Sequence, residues 1–345
     1  MFSRLWTLLA RLRTWLLVRL ALLRGAWRRG QVTLPATPLA PLLANHTWSY
    51  ALYCPPGLRD DAAAPLVVLL HGCRQRALGF AQASGWVRAA QDHGFRLLCP
   101  QQRSRANLWR CWNWFTPAAQ RGAGELDVVR EMLEAVAGRV TLSERGVAVV
   151  GLSAGGGLAA LLAFHAADRI AAAVTVAAPP LLGRVSAQDP RDVMARGLTV
   201  APALALAGSA PVAPLLLMHG RADTVVAPVC GEQLAEQAAR AAERSGASWQ
   251  AQPAVAIEAG TQIDALRVAR VPAGATAAAA GDAVAAPAGA GDTSNAPSLA
   301  LRVLWLDALG HAWTGAPGGH PYVEPAGPPL TALALRFLRE VGVLR

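Results

Sequence analysis

The chain has 345 residues, 53% of them hydrophobic, which is ample material for a large core and fits one α/β domain with appendages. A net charge of +10 suggests nucleic acid until it is located: every basic residue is Arg, eight lie in residues 1–59 where there is no acid, and the remaining 24 of the 32 face all 22 acids. The body from residue 60 onward is nearly neutral, which argues against the broad basic face that nucleic-acid binding needs.

Residues 1–30, MFSRLWTLLARLRTWLLVRLALLRGAWRRG, are rich in Leu, Trp and Arg. Arg11, Arg13, Arg19 and Arg24 break up the apolar runs, so the stretch is neither an ordinary membrane span nor a good signal-peptide core. It reads as a helical arm that contacts an anionic membrane, a polymer surface or the protein itself. A misassigned start or an atypical export leader is the alternative. Residues 31–46, with Pro35, Pro38 and Pro41, read as a linker. That division assigns 1–46 to arm and linker and 47–345 to the folded body.

The body opens with Trp48 to Cys54, alternating enough for an edge strand. Pro65 to Leu70 is a buried strand that runs directly into His71-Gly72-Cys73. A helix is expected over 79–93 and a strand over Phe95 to Cys99. Next comes Arg110-Cys111-Trp112-Asn113-Trp114-Phe115, with three aromatics in four residues. These aromatics either fill a satellite core or line a hydrophobic cleft; Trp112 and Trp114 are the cleft candidates. Val128, Met132 and Val136 recur at helical spacing within a helix expected over 125–138.

Val147 to Gly157, VAVVGLSAGGG, is the most informative stretch. A β-branched run passes through glycines into Ala- and Leu-rich sequence, the pattern of a strand entering a helix through a tight elbow that exposes a serine hydroxyl. Glycines two before and two after the serine keep side chains clear of the turn. Ser153 is therefore the candidate nucleophile. In the hydrolase layout that such an elbow implies, the His-Gly loop and the residue after the nucleophile each donate a backbone N–H to an oxyanion, here the amides of Cys73 and Ala154. His71 then braces its loop.

Ile170 to Ala178 is the next strand, and the Pro- and Gly-rich segment 179–212 is irregular. Leu215 to Met218 leads into His219-Gly220-Arg221-Ala222-Asp223, which places Asp223 where an acid partner is expected. A helix is predicted over 231–244. Residues 272–298 are low in complexity and carry no large side chain, so they cannot bury enough apolar area to offset their conformational entropy and should form a disordered insertion. Their flanks, 263–271 and 299–306, should pair as a hairpin across it. Leu301 to Leu306 delivers Gly310-His311-Ala312-Trp313, and the order Ser153, Asp223, His311 is the one this layout uses. Asp307 is the rival acid and Trp313 a further cleft aromatic. A helix over 329–340 closes the chain. The five cysteines lack metal-ligand spacing, so neither a metal nor another cofactor is expected.

Taken together, HGC, RCWNWF, GLSAGG and the late GHAW resemble the polyhydroxybutyrate-depolymerase esterase family, relatives of feruloyl and acetylxylan esterases. The resemblance runs from about residue 47 to about 340 apart from the insertion. It implies an α/β-hydrolase fold, a mostly parallel central sheet with helices on both faces. It also implies serine-esterase chemistry on a polyester, an oligomer or an acylated sugar, and a disulfide between Cys73 and Cys111. A bridged pair would place the protein outside the reducing cytosol, extracellular or periplasmic, as the resemblance also implies; a cytoplasmic, surface-associated location is the alternative. A polymer- or membrane-binding protein on the same scaffold is the non-enzymatic alternative.

Overall fold

The computed structural model describes residues 27–34, 46–183, 188–199, 212–244, 248–252, 256–257, 261–271 and 298–345. The chain order begins with β1 (Trp27–Thr33), β2 (Thr47–Tyr53), β3 (Ala64–Leu70), α1 (Ala77–Ala83), α2 (Trp86–His93) and β4 (Arg96–Gln101). It continues with α3 (Pro117–Gln120), α4 (Glu125–Ala137), β5 (Leu142–Leu152), α5 (Ala154–His165), β6 (Ile170–Val176), α6 (Pro190–Arg196) and β7 (Leu215–Gly220). The last part holds α7 (Pro228–Arg244), β8 (Ser248–Gln252), β9 (Ala256–Ile257), β10 (Thr261–Val271), β11 (Ser298–Leu306), β12 (Trp313–Thr314), β13 (Val323–Glu324) and α8 (Leu330–Glu340).

The main sheet runs β1-β2-β4-β3-β5-β6-β7-β11-β10-β8, with β9 beside β10. From β4 to β11 neighbouring strands are parallel, whereas β1, β2, β10 and β8 pair antiparallel at the margins. Strands covered on both faces must be apolar at every position, which is why PLVVLL and VAVV carry no polar alternation. In β3, Leu66, Val68 and Leu70 face one core with Met132 of α4, Leu158 of α5 and Leu234 of α7. Val67 and Leu69 point the opposite way, to Phe80 of α1, Trp86 of α2 and Phe337 of α8. This is the α/β-hydrolase fold.

Three features of the fold differ from the sequence expectation. Trp27–Thr33 is a strand paired residue by residue with β2, from Trp27 opposite Tyr53 to Thr33 opposite Thr47. The folded body therefore includes Trp27–Thr33, β1 rather than the Trp48 stretch is the outermost described strand, and the expected boundary at 46/47 is corrected. The Trp27 ring packs 5.0 Å from the Tyr53 ring, and Arg28 Nη1 donates to Asp60 Oδ2 at 2.7 Å. An edge strand leaves one row open to water, so an Arg-rich segment can join the sheet without a buried charge. The helix expected over 79–93 is two helices, broken where Gly85 adopts φ 83°. The segment expected to be irregular over 179–212 contains α6.

The remainder of the N-terminal arm, through residue 26, and the linker over 35–45 lie outside the described residues. So does the insertion expected over 272–298, except Ser298, the first residue of β11. Its flanks do pair antiparallel, Ile263 with Leu306 and Val271 with Ser298. Among the described residues no helix is long and apolar enough to cross a membrane.

Candidate functional site

Strand order positions the site. β3 is followed by a connection to β4 on one side, whereas β5 is followed by β6 on the other, so the loops leaving the carboxyl ends of β3 and β5 diverge and open a crevice. Leu70 lies opposite Gly151, so His71-Gly72 emerges beside Leu152-Ser153. A Cβ placed on Gly72 would stand 3.5 Å from the Ser153 Cβ.

Ser153 has φ 57°, a left-handed conformation that a non-glycine residue adopts at a cost, as expected of the elbow. The flanking glycines are sterically required. A Cβ on Gly151 would meet the Gly155 carbonyl oxygen at 2.1 Å, and one on Gly155 would meet the Leu70 carbonyl oxygen at 2.4 Å. The Ser153 amide donates to the Val176 carbonyl at 2.8 Å, tying the elbow to β6.

Two strands further on, Gly220 of β7 lies opposite Leu306 of β11, which brings the Asp223 and His311 loops together. The Arg221 amide donates to the Leu306 carbonyl at 3.0 Å, and the Ala222 amide to that of Leu309 at 3.1 Å. His311 Nδ1 then lies 2.8 Å from Asp223 Oδ2, and its Nε2 lies 3.0 Å from Ser153 Oγ. Asp223 Oδ1 accepts the amides of Val225 at 2.8 Å and Val226 at 2.9 Å. Burial pushes the Asp223 carboxyl up, but the His311 hydrogen bond and charge with these two amides outweigh it, and the group sits below the usual carboxylate range. The rival acid, Asp307, lies 3.2 Å from Arg221 Nε. Beneath the acid loop His219 is buried with its Nε2 2.9 Å from the Val226 carbonyl, and desolvation favours its neutral form.

On the other side of Ser153, His71 is fully buried. Its Nε2 accepts the Gln102 amide at 3.1 Å, so Nδ1 carries the proton and donates to the Gly72 carbonyl at 2.8 Å. This fixes the plane of the peptide whose N–H belongs to Cys73. The Gly72 amide donates to Gln75 Oε1 at 2.7 Å, which further pins the turn. Ala154 is the first residue of α5, where an amide has no carbonyl one turn earlier. Cys73 is bonded to Cys111 across 38 residues of sequence, a loop closure that the chain-entropy account values at about 4 kcal/mol. Beside the bridge, the buried Glu125 carboxylate accepts the Asn113 amide at 2.6 Å and Gln102 Nε2 at 2.6 Å.

Burial, aided by the nearby Arg110 charge, outweighs the Gly72 hydrogen bond and pushes the His71 imidazole down to about 4 from 6.5. The stability this group contributes is therefore complete above 6.5 and is lost as pH falls towards 4. Between pH 7 and 4.5 the loss amounts to about 2–3 kcal/mol. Urea unfolding of His71→Asn at the two pH values should show that much less acid destabilisation than the wild type; parallel pH dependence would refute it.

The aromatic assignments are corrected. Trp112, Trp114 and Trp313 are core residues with essentially no exposed surface. Trp112 packs on His71 at 5.7 Å, Trp114 on Phe115 at 5.8 Å, and Trp313 stands among Phe80 and Trp86 with its Nε1 donating to Thr331 Oγ1 at 2.9 Å. The aromatic that does face solvent on this side is Trp109, 56% exposed beside Leu108 at 86%. Its place within RANLWRC, between arginines and before a cysteine, was the available signal. Among the described residues no group of three His, Cys, Asp or Glu side chains could hold a metal ion.

The sequence profile of the esterase PHB depolymerase family matches residues 48–251. Poly(3-hydroxyalkanoate) depolymerase C of Paucimonas lemoignei is 34% identical over 194 residues, 54% of this chain and 46% of that protein. The poly(3-hydroxybutyrate) depolymerase of Ralstonia pickettii is 30% identical over 131 residues, 36% of this chain and 27% of that protein. The matched region thus spans less than half the length of either relative. Among solved structures, acetyl xylan esterase from Aspergillus awamori shares the fold with a TM-score of 0.60 at 16% identity, over 92% of this chain and 99% of that one. The profile match covers more than half of the chain, and the chain belongs to the esterase PHB depolymerase family.

Proposed function

We propose that the protein hydrolyses carboxylic esters through an acyl-enzyme formed on Ser153, with polyhydroxyalkanoate-type polyester or its oligomers as the substrate class. The observation that carries this reading is the continuous relay from Asp223 through His311 to Ser153, at 2.8 and 3.0 Å. In the proposed reaction His311 Nε2 takes the Ser153 proton as Oγ attacks the ester carbonyl, and then returns it to the departing alcohol. Asp223 holds the imidazole with Nδ1 protonated and stabilises the imidazolium. The amides of Cys73 and Ala154 meet the oxyanion, each worth about 3–4 kcal/mol in comparable enzymes. Water activated by His311 then releases the acid. Family membership supports the ester class, and the names of the two bacterial relatives support a hydroxyalkanoate substrate. The Cys73–Cys111 bridge supports an extracellular or periplasmic location.

Incubation with a fluorophosphonate should label Ser153 alone, as read by peptide mass mapping, and abolish turnover of p-nitrophenyl butyrate. An unlabelled Ser153 in a protein that still hydrolyses the ester would overturn the assignment.

A further inference from the structure

Five non-glycine residues among those described have a left-handed backbone: Arg74, Arg110, Ser153, Ala177 and Tyr322. Three of them belong to the immediate surroundings of the relay. Ser153 is its hydroxyl, Ala177 directly follows the neighbouring strand β6 and its amide donates to the Met218 carbonyl of β7 at 3.0 Å, and the Tyr322 ring stands 5.6 Å from that of His311. The other two are arginines that flank the Cys73–Cys111 bridge, one immediately after Cys73 and one immediately before Cys111. Left-handed backbone at a β-carbon-bearing residue costs of order 1–2 kcal/mol and is characteristic of functional edges.

These arginines are held in place. The Arg74 amide donates to the Trp109 carbonyl at 2.6 Å, and its guanidinium lies 4.2 Å over the Trp109 ring. The Arg110 amide donates to the Asn107 carbonyl at 2.8 Å, and Asn107 Oδ1 also accepts the Trp109 amide at 3.0 Å. A Cβ on Gly72 would stand 3.5 Å from the Ser153 Cβ, and Arg74 is two residues, at most about 7 Å of chain, further on, so Arg74 lies beside the crevice and the Cys73–Cys111 bridge brings Arg110 alongside it. Among the described residues neither forms an ion pair. The one acid between residues 62 and 124 is Asp92, which pairs with Arg88. The nearby carboxylates of Asp223 and Glu125 are buried and already engaged.

We propose that Arg74 and Arg110 form a carboxylate-binding subsite, so that esters with a free carboxylate a few bonds from the scissile bond, as in acid-ended hydroxyalkanoate oligomers, are preferred over their neutral counterparts. The proposal rests on the hydrolase reading above. The Arg74 guanidinium, stacked on the Trp109 indole, keeps an N–H edge that suits the two oxygens of a carboxylate, and Arg110 adds a second positive charge beside it. The carboxylate takes no part in bond making. The ester still reacts with water to give one acid and one alcohol, and the subsite supplies binding and register only.

The test compares the free acid and the methyl ester of a 3-hydroxybutyrate trimer, with p-nitrophenyl butyrate as a reference. The wild type should show a kcat/KM about tenfold higher for the acid at low salt, the order expected of two partly exposed charge-assisted contacts. That ratio should shrink in 0.5 M salt and fall close to one in the double variant Arg74→Asn/Arg110→Asn, chosen because Asn accepts left-handed backbone. The wild-type salt response tests the subsite even if the variant does not fold. A ratio near one in the wild type, or an unchanged ratio in the folded variant, overturns the subsite. If the variant loses binding to phosphatidylserine vesicles while its ratio is unchanged, the arginines serve a membrane and the proposal is wrong. Turnover of p-nitrophenyl butyrate without acid preference sinks the subsite alone, whereas no turnover of any ester sinks the hydrolase reading as well.

Discussion

Ser153→Ala should lower kcat for p-nitrophenyl butyrate by about 10⁴- to 10⁶-fold, the range seen when the nucleophile of a serine relay is removed. The melting temperature should stay within a few degrees of the wild type. Ser153 makes no side-chain cap bond to α5, so losing the hydroxyl removes only its contact with His311. The left-handed backbone is no worse for Ala than for Ser. Measuring kcat together with thermal unfolding separates chemistry from folding, and a variant with more than a hundredth of wild-type turnover would assign the nucleophile elsewhere.

Asp223→Asn should cost about 10⁴-fold in kcat, chiefly by reversing a hydrogen bond. An amide that keeps its oxygen towards the Val225 and Val226 amides must turn its NH₂ towards His311 Nδ1. The imidazole is then driven to carry its proton on Nε2, where it cannot accept one from Ser153. Loop geometry is retained, so the defect should appear in kcat with far-ultraviolet circular dichroism unchanged. Asp307→Asn is the matched control. Its carboxylate faces Arg221 at 3.2 Å, so its loss should alter turnover by less than about threefold, the scale of an exposed ion pair. Equal losses from the two substitutions would dissolve the distinction between the acids.

Local sequence was enough to bring Ser153, Asp223 and His311 forward as candidates because each follows a strand in a turn whose chemistry is contained in a few neighbouring residues. Gly151 and Gly155 announce the elbow by their own lack of a side chain, and Gly220 does so for the acid turn, where a Cβ would lie 1.9 Å from the Leu309 carbonyl oxygen. The buried centre of the sheet was equally legible, since β3 and the Val147–Leu152 part of β5 are apolar. Which tryptophans meet water was not. Trp313 is buried by Phe80, Trp86 and Thr331, and Trp112 by His71, partners brought from distant parts of the chain. β1 was missed because Trp27–Thr33 becomes a strand only by pairing with β2; its Arg-rich composition does not propose one. The two arginines beside the disulfide became neighbours only once the Cys73–Cys111 bridge joined two distant stretches of chain. Turn chemistry and strand pattern are short-range and therefore written in order along the chain, whereas burial and charge neighbourhood are sums over residues that meet only in the folded sheet.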